Sequence, residues 1–354
     1  MPDPAAFHAQ IIESGARAIA AGAAERLLEA APNAHAFGKP AFPAWHEHLT
    51  GRLLELVGAM RAGEPALFCG RLDWARLAFE ARGLDTAELR ESIDAIEHAL
   101  REDLPPGGTD AIAPYLEAAR DGLSRNADAE PPALSGAGPN GRLASGYMLA
   151  LLEGDRRGAI ALLESAVAKG MTAETVMLDV LIPVAREVGR QWHLGEVAIG
   201  EEHFVTNSAM LALGWLRGLM PQCEPDGRSV MIGAVPGNRH DLAGRIAGLI
   251  LESAGFRVVD LGAETPAPDM VRAAGDFGVD GVLLGVMLGT QIESARHAIA
   301  QFRADERTAG VFIVVGGHVF DEAPELWERI GANGHARTIH EAGELLDRLI
   351  GSDA

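Results

Sequence analysis

Apolar residues return every three to four positions over 86–102, where Leu89, Ile93, Ile96 and Leu100 fall on one face behind Thr86. That period belongs to an amphipathic helix. The same spacing predicts helices over 11–31, 46–63, 74–82 and 109–123, with Pro-Pro-Gly-Gly at 105–108 as a break before the last. These helices define an all-α N-terminal domain, residues 1–123.

The pattern then lapses. Residues 124–141, SRNADAEPPALSGAGPNG, are rich in Pro, Gly, Ser and Ala, have no period, and read as an interdomain linker. Helical spacing resumes over 144–154, 156–169, 173–193 and 198–219, with Gly170 and Gly195 where C-terminal caps belong. Four helices with short joints predict a compact four-helix bundle over residues 142–222. From 223 to 354 short apolar runs at 229–234, 257–261, 281–285 and 311–315 alternate with helical stretches at 242–254, 267–275, 292–303 and 341–349. That alternation predicts a doubly wound, parallel-sheet α/β domain of Rossmann-like type, with ligands at the C-terminal ends of its strands.

Composition changes this picture little. Hydrophobic residues make up 48% and charged residues 23% of 354, an ordinary globular mixture. The net charge of −20 argues against unaided nucleic-acid binding and against an anionic membrane surface. Cys69 and Cys223 are far apart and fit two reduced thiols. No signal pattern opens the chain and no run reaches the roughly 18 apolar residues of a membrane span. A cytoplasmic protein is expected.

The first candidate site is the loop Pro236-Gly237-Asn238-Arg239-His240-Asp241-Leu242-Ala243-Gly244, directly after the first strand. It lacks GxGxxG and GK[ST], so it is neither a dinucleotide fingerprint nor a P-loop. A histidine at a strand end can ligate a metal through one ring nitrogen while a residue two places earlier holds the other. A solvated loop histidine is the plainer reading of the loop taken alone.

With its flanks, GNRHDLAGRIAGLILESAGFRVVDLGAETP, the loop resembles the cobalamin-binding domain family, whose signature is Asp-x-His-x-x-Gly. The resemblance continues through LLGVMLGT after the third strand and VVGGHVF after the fourth, about 90 residues in order. It implies that His240 is the lower cobalt ligand and that Asn238, Arg239, Asp241, Leu242 and Ala243 border the cofactor. Gly262, Gly285, Met287, Leu288, Gly316 and Gly317 would line the slot for its nucleotide tail, with Gly289 beside them. Three positions depart from the family pattern. Asn238 replaces the acid, Ala243 the motif glycine (Gly244 comes one place later), and Gly285 a tail-contacting serine. An acid restored by Asn238→Asp is expected to strengthen the ligand.

A second constellation, Trp192 with Glu202 and His203 ten and eleven residues later, reproduces a spacing of the light-sensing CarH/LitR-type photoreceptors. In those relatives the bundle caps the upper cofactor face, the tryptophan packs on the adenosyl group, and the Glu and His lie beside it. The plainer reading makes Trp192 bundle core and Glu202–His203 an exposed helix start.

The N-terminal block is not basic and has no DNA-reading pattern. With its aromatics and histidines, the whole chain looks like the photocobilins, which pair a cobalamin unit with a bilin unit. Two readings stay open for this block: a biliverdin slot between Trp45 and Tyr115 with Arg71, Arg76 or Arg82 on the propionates, or plain helical core. The resemblance implies an adenosylcobalamin photoreceptor, not an enzyme by itself. It would signal through light-dependent homo-oligomerisation or a regulated partner protein. The alternatives are a corrinoid methyl carrier serving a methyltransferase and a module that has lost its cofactor.

Overall fold

The structure, a computed structural model, describes residues 4–31, 34, 40–124, 132–134 and 136–351. Residues 125–131 and 135 of the expected linker lie outside the described residues, and its C-terminal end is already helical from Gly138. The chain divides into two compact units. One gathers the described residues of Met1–Asp128 with Val286–Ala300 and Gly317–Gly331; the other holds Ala129–Gly285, Gln301–Gly316 and Ala332–Ala354. The segments that follow the third and fourth strands therefore belong with the N-terminal helices, where the sequence places them in the α/β domain.

The first unit is built on α1 (Pro4–Ala30), α2 (Ala41–Ala62), α3 (Pro65–Ala81), α4 (Ala87–Asp103) and α5 (Gly108–Ser124). The face read from the α4 pattern is the buried one: Leu89, Ile93, Ile96 and Leu100 are all fully buried. They share the interior with Ile12, Trp45, Leu49, Leu53, Phe68 and Leu72. Helix α3 starts at Pro65, well before the expected 74, because proline is favoured in a first helical turn and Leu67, Phe68 and Leu72 continue the buried stripe. Cys69-Gly70-Arg71 hid that stripe in the sequence.

In the second unit, α6 (Gly138–Leu152), α7 (Arg156–Ala168), α8 (Ala173–Val176), α9 (Ile182–Leu194) and α10 (Ile199–Arg217) share one core. Its fully buried members include Tyr147, Leu163, Val180, Val184, Val205 and Leu216. A π-helical turn, Met177–Leu181, joins α8 to α9. Pro183 follows it; proline lacks an N–H and its ring clashes with the carbonyl four residues back, so the ladder widens there. Gly195 ends α9 with left-handed backbone, the cap the sequence announced.

The sheet has five parallel strands in the order β2-β1-β3-β4-β5: β1 Ser229–Ala234, β2 Arg257–Asp260, β3 Gly281–Gly285, β4 Phe312–Gly316 and β5 Gly334–Ala336. The sequence pattern yields four of them; β5, Gly-His-Ala, is too short and too small to show alternation. Helices α11 (Leu242–Ser253), α12 (Ala267–Phe277), α13 (Ile292–Ala304), α14 (Val319–Glu322), α15 (Leu326–Arg329) and α16 (Ile339–Gly351) complete the chain. Val230, Ile232 and Val314 pack with Ala247 and Leu251 of α11 and Leu346 of α16. The strand order reverses between β1 and β3, the place where open α/β sheets leave a crevice at their carboxyl ends. Register aligns Ala234, Gly285, Gly316 and Ala336 in one row of small residues across that edge.

Candidate functional site

Strand β1 is buried along its whole length and delivers the chain to the loop at 235–241. Val235 N–H bonds to the Gly285 carbonyl at 3.3 Å, so the loop starts tied to the end of β3. Asn238 is buried to 1% exposure, although it sits in a polar loop, because every side of it is used. Its Nδ2 donates to the same Gly285 carbonyl at 3.1 Å. Its Oδ1 accepts from the His240 backbone N–H at 3.0 Å and lies 3.1 Å from His240 Nδ1. Its own carbonyl accepts from Glu264 N at 3.1 Å.

These partners fix the protonation pattern. The Gly285 carbonyl can only accept and the His240 N–H can only donate, so the amide has one possible orientation. Oδ1 is an acceptor, and Nδ1 of His240 must carry the proton. In the neutral ring Nε2 then keeps its lone pair, on an imidazole exposed to solvent. That is the tautomer and aspect of a histidine metal ligand.

The neighbours of this loop are also paired. Arg239 bonds to Glu264 at 2.6 Å. Glu264 is the one non-glycine residue with left-handed backbone among the described residues, φ 50. Such strain persists where surroundings over-determine it, and it clusters at functional sites. Asp241 holds Arg245 at 2.8 Å, and Arg245 also faces Asp260 at 3.7 Å. Leu242 opens α11 and packs against the helical core, while Ala243 is exposed. Gly262 is buried in the turn after β2, its N–H on Asp260 Oδ1 at 2.8 Å.

Met287, Leu288 and Gly289 follow β3 and lie in the first unit. The backbone N–H groups of Met287 and Leu288 both donate to Gln291 Oε1, at 2.8 and 3.1 Å. Gln291 is buried and closes the 3₁₀ turn Gly289–Gln291. Gly317, after β4, has φ +132, and a Cβ on it would fall 1.9 Å from the Val286 carbonyl oxygen. The segments after β3 and β4 thus meet backbone to backbone. Glu264 and Gln291 escaped sequence reading: Glu264 lies within the resembling stretch and Gln291 just after another, and only their hydrogen-bond partners give them a part.

The helical constellation is divided by the end of a helix. Trp192 stands near the end of α9, 39% exposed, and is no member of the buried core, so the plain core reading fails for it. Glu202 and His203 open α10 beyond Gly195. Glu202 Oε2 holds His203 Nδ1 at 2.6 Å and its Oε1 accepts from Thr206 at 2.8 Å. A spacing of ten and eleven residues across a helix break is no helical period, which makes it weak evidence for a shared surface.

Four of the N-terminal aromatics serve as core. Trp45 and Phe68 are fully buried, and Phe79 and Tyr115 nearly so. Arg71 bonds to Glu55 at 3.1 Å and stacks on Trp74 at 4.2 Å, and Arg76 is paired to Glu80 at 2.5 Å. Arg82 bonds to the Ala78 carbonyl at 3.0 Å. The side chains expected to hold a biliverdin are thus engaged with each other and with the backbone. Among the described residues no helix is long and apolar enough to cross a membrane.

Two families, each described as a B12 binding domain, match the chain, one over residues 228–346 and the other over 143–217. Cobalamin-binding domains are therefore present over the helical bundle and the α/β domain. A corrinoid protein of Desulfitobacterium hafniense is 26% identical over 57% of this chain and 94% of its own length. Dimethylamine corrinoid protein 3 of Methanosarcina mazei is 26% identical over 44% of this chain and 93% of its own. Among solved structures, the monomethylamine corrinoid protein of Methanosarcina barkeri shares the fold, with a TM-score of 0.51 and 21% identity over 58% of this chain and 97% of that one. These relatives overturn the expectation of an adenosylcobalamin photoreceptor, and with it light-dependent signalling. They are corrinoid proteins, two of them named for methylamines. The spacing of Trp192, Glu202 and His203 and the photocobilin-like look of the whole chain had carried that expectation.

Proposed function

We propose that this chain, in which two B12-binding domains are present, is a corrinoid carrier that accepts a methyl group and passes it on with a methyltransferase partner. The observation that carries the reading is His240: a histidine at the carboxyl end of β1, with Nδ1 protonated and held by Asn238 and with Nε2 free toward solvent. The residues fit a corrinoid. A ring-bound metal would need only a single protein ligand, and His240 can serve singly. When bound, the corrinoid supplies a cobalt centre that takes up and gives away a one-carbon group.

The chain's own part is to hold and orient. His240 would ligate through Nε2, with Asn238 fixing its ring plane and tautomer. The small residues Gly285 and Gly316 would leave room at the sheet edge for the cofactor's tail. Gly262 would border it. Trp192 and His203 are each exposed and would be open to a partner. In this reading the chain is a cytoplasmic carrier subunit, with no catalytic turnover of its own. The names of the relatives support it: they are corrinoid proteins of methylamine systems.

Reconstitution tests it. Apoprotein titrated with hydroxocobalamin should give a saturable change in visible absorption. Protein loaded with labelled methylcobalamin should transfer the label to a thiol acceptor when a methyltransferase is added. No spectral change would refute corrinoid binding. Binding without any transfer, across methylamine and methanol methyltransferases, would refute the carrier role.

A further inference from the structure

The turn after β2, residues 261–265, lies in the same compact unit as the ligand loop and is bonded to it. Leu261 N–H donates to the Ile232 carbonyl at 2.8 Å, and Ala234 N–H donates to the Gly262 carbonyl at 2.9 Å. Beyond these, Glu264 N–H donates to the Asn238 carbonyl at 3.1 Å and Thr265 N–H to the Ala234 carbonyl at 3.0 Å. Ala234 and Asn238 stand at the two ends of a tight turn, closed by Asn238 N–H on the Val235 carbonyl at 3.0 Å. Extended backbone alternates, so successive N–H groups point to opposite sides. At 264 and 265 both point onto the ligand loop. The left-handed backbone of Glu264, φ 50, turns them to one side, as helical backbone of either hand aligns neighbouring peptides.

Only glycine enters that region without steric cost, and this position carries a glutamate. Its carboxylate accepts from Arg239 Nε at 2.6 Å, but the Arg239 side chain is 86% exposed. Exposed ion pairs contribute little, so this pair does not by itself offset the strain. The two backbone bonds to the ligand loop are what hold residue 264 in place. They meet the ligand at Asn238, whose carbonyl takes the Glu264 N–H while its side chain holds Gly285 and His240. We propose that Glu264 is a positioning residue for the cobalt ligand: its left-handed backbone clasps the Asn238 carbonyl and thereby fixes the His240 ring, with Nδ1 on Asn238 and Nε2 left for the metal. This rests on His240 as the corrinoid ligand. Glu264 acts through Asn238, by its backbone more than by its carboxylate.

Two substitutions separate backbone from side chain. Glu264→Gly keeps the left-handed conformation and removes the carboxylate. Glu264→Val opposes that conformation, because a β-branched residue fits positive φ poorly. The first readout is the ring tautomer of His240 in the full-length apoprotein, by nitrogen NMR of isotope-labelled histidine, with its signals assigned by their loss in His240→Ala. At about pH 8, above the ordinary imidazole range, the parent and Glu264→Gly should show Nδ1 protonated and Nε2 bare. Glu264→Val should show both tautomers and bind hydroxocobalamin roughly tenfold more weakly. A purely structural residue would lower the urea midpoint and leave the tautomer and the affinity unchanged; that result in Glu264→Val overturns the proposal. A glycine variant that loses the Nδ1-protonated form also overturns it, and this can be read even where the valine variant does not fold. A parent protein that shows the tautomer but no spectral change with hydroxocobalamin removes the corrinoid reading, and the ligand-positioning role with it.

Discussion

The side chain of Asn238 ties His240 to Gly285, donating from Nδ2 to the glycine carbonyl and accepting from the histidine N–H groups at Oδ1. One amide thus joins the ligand loop to the neighbouring strand end. The first consequence concerns His240 itself. His240→Ala should remove the ligand nitrogen and leave the loop intact, since the Asn238–Gly285 bond survives. Hydroxocobalamin should bind tenfold or more weakly, with a visible spectrum like that of the free cofactor. A spectrum identical to that of the parent protein would take His240 out of the role.

An acid in place of Asn238 is expected from the family pattern to strengthen the ligand, and the geometry reverses that expectation. The substituted carboxylate would keep an acceptor for His240 but would set its second oxygen, with nothing to donate, against the Gly285 carbonyl. An unpaired buried polar group costs more than a hydrogen bond returns. Asn238→Asp should therefore lower hydroxocobalamin affinity, by about tenfold. Equal or tighter binding by absorption titration would contradict this.

Trp192 separates stability from function. At 39% exposure it contributes little to the bundle core. Trp192→Ala should change the unfolding free energy by about 0.5 kcal/mol or less, measured by urea denaturation of the apoprotein. A loss of about 3 kcal/mol would return it to the class of core aromatics.

Gly317 should be intolerant of any side chain. Its backbone lies in the left-handed region, and a Cβ would stand inside the Val286 carbonyl. Gly317→Ala should cost about 3 kcal/mol or more, visible as a lowered urea midpoint. The same substitution at Gly310, whose surroundings are open, should cost far less.

His48 predicts acid sensitivity in the N-terminal helices. It lies against Trp45 and Phe79, with ring centroids 5.3 and 6.2 Å away. Burial, and then the charge of Arg52, lowers its pKa from 6.5 to about 3. An unfolded chain takes up this proton near pH 6.5 and the folded one only near 3, so between them the unfolded state binds more protons. Stability should fall as the pH drops from 6.5 toward 3. His48→Gln should flatten that decline in urea midpoints taken on either side of the unfolded-state value, at about pH 7 and about pH 5.

How much was legible follows from these same residues. The α4 stripe, the four longer strands and Gly195 were plain because periodicity and glycine at a helix end are local signals. His240 was legible through its motif. The start of α3 and the strand β5 were not, since Cys69-Gly70-Arg71 masks one stripe and Gly-His-Ala is too short to alternate. Glu264 owes its place to a hydrogen bond 26 residues away that no pattern encodes, and Gln291 to bonds only three and four residues back, in a turn too short to show a period. Trp192, Glu202 and His203 pointed to a light sensor through spacing, and spacing across a helix break holds no geometry.

The wide turn at Met177–Leu181 acts as a phase shifter. An α-helix advances about 100° per residue, and a π turn carries one residue more than an α-helical path would. Everything downstream on α9, Trp192 included, is therefore rotated about the helix axis relative to the run before it. Loss of one residue from this turn would turn Trp192 by roughly a quarter circle with every other side chain unchanged in kind. Which way Trp192 faces is thus set by the length of the chain some ten residues upstream, and an insertion or deletion there could re-aim it in a single evolutionary step.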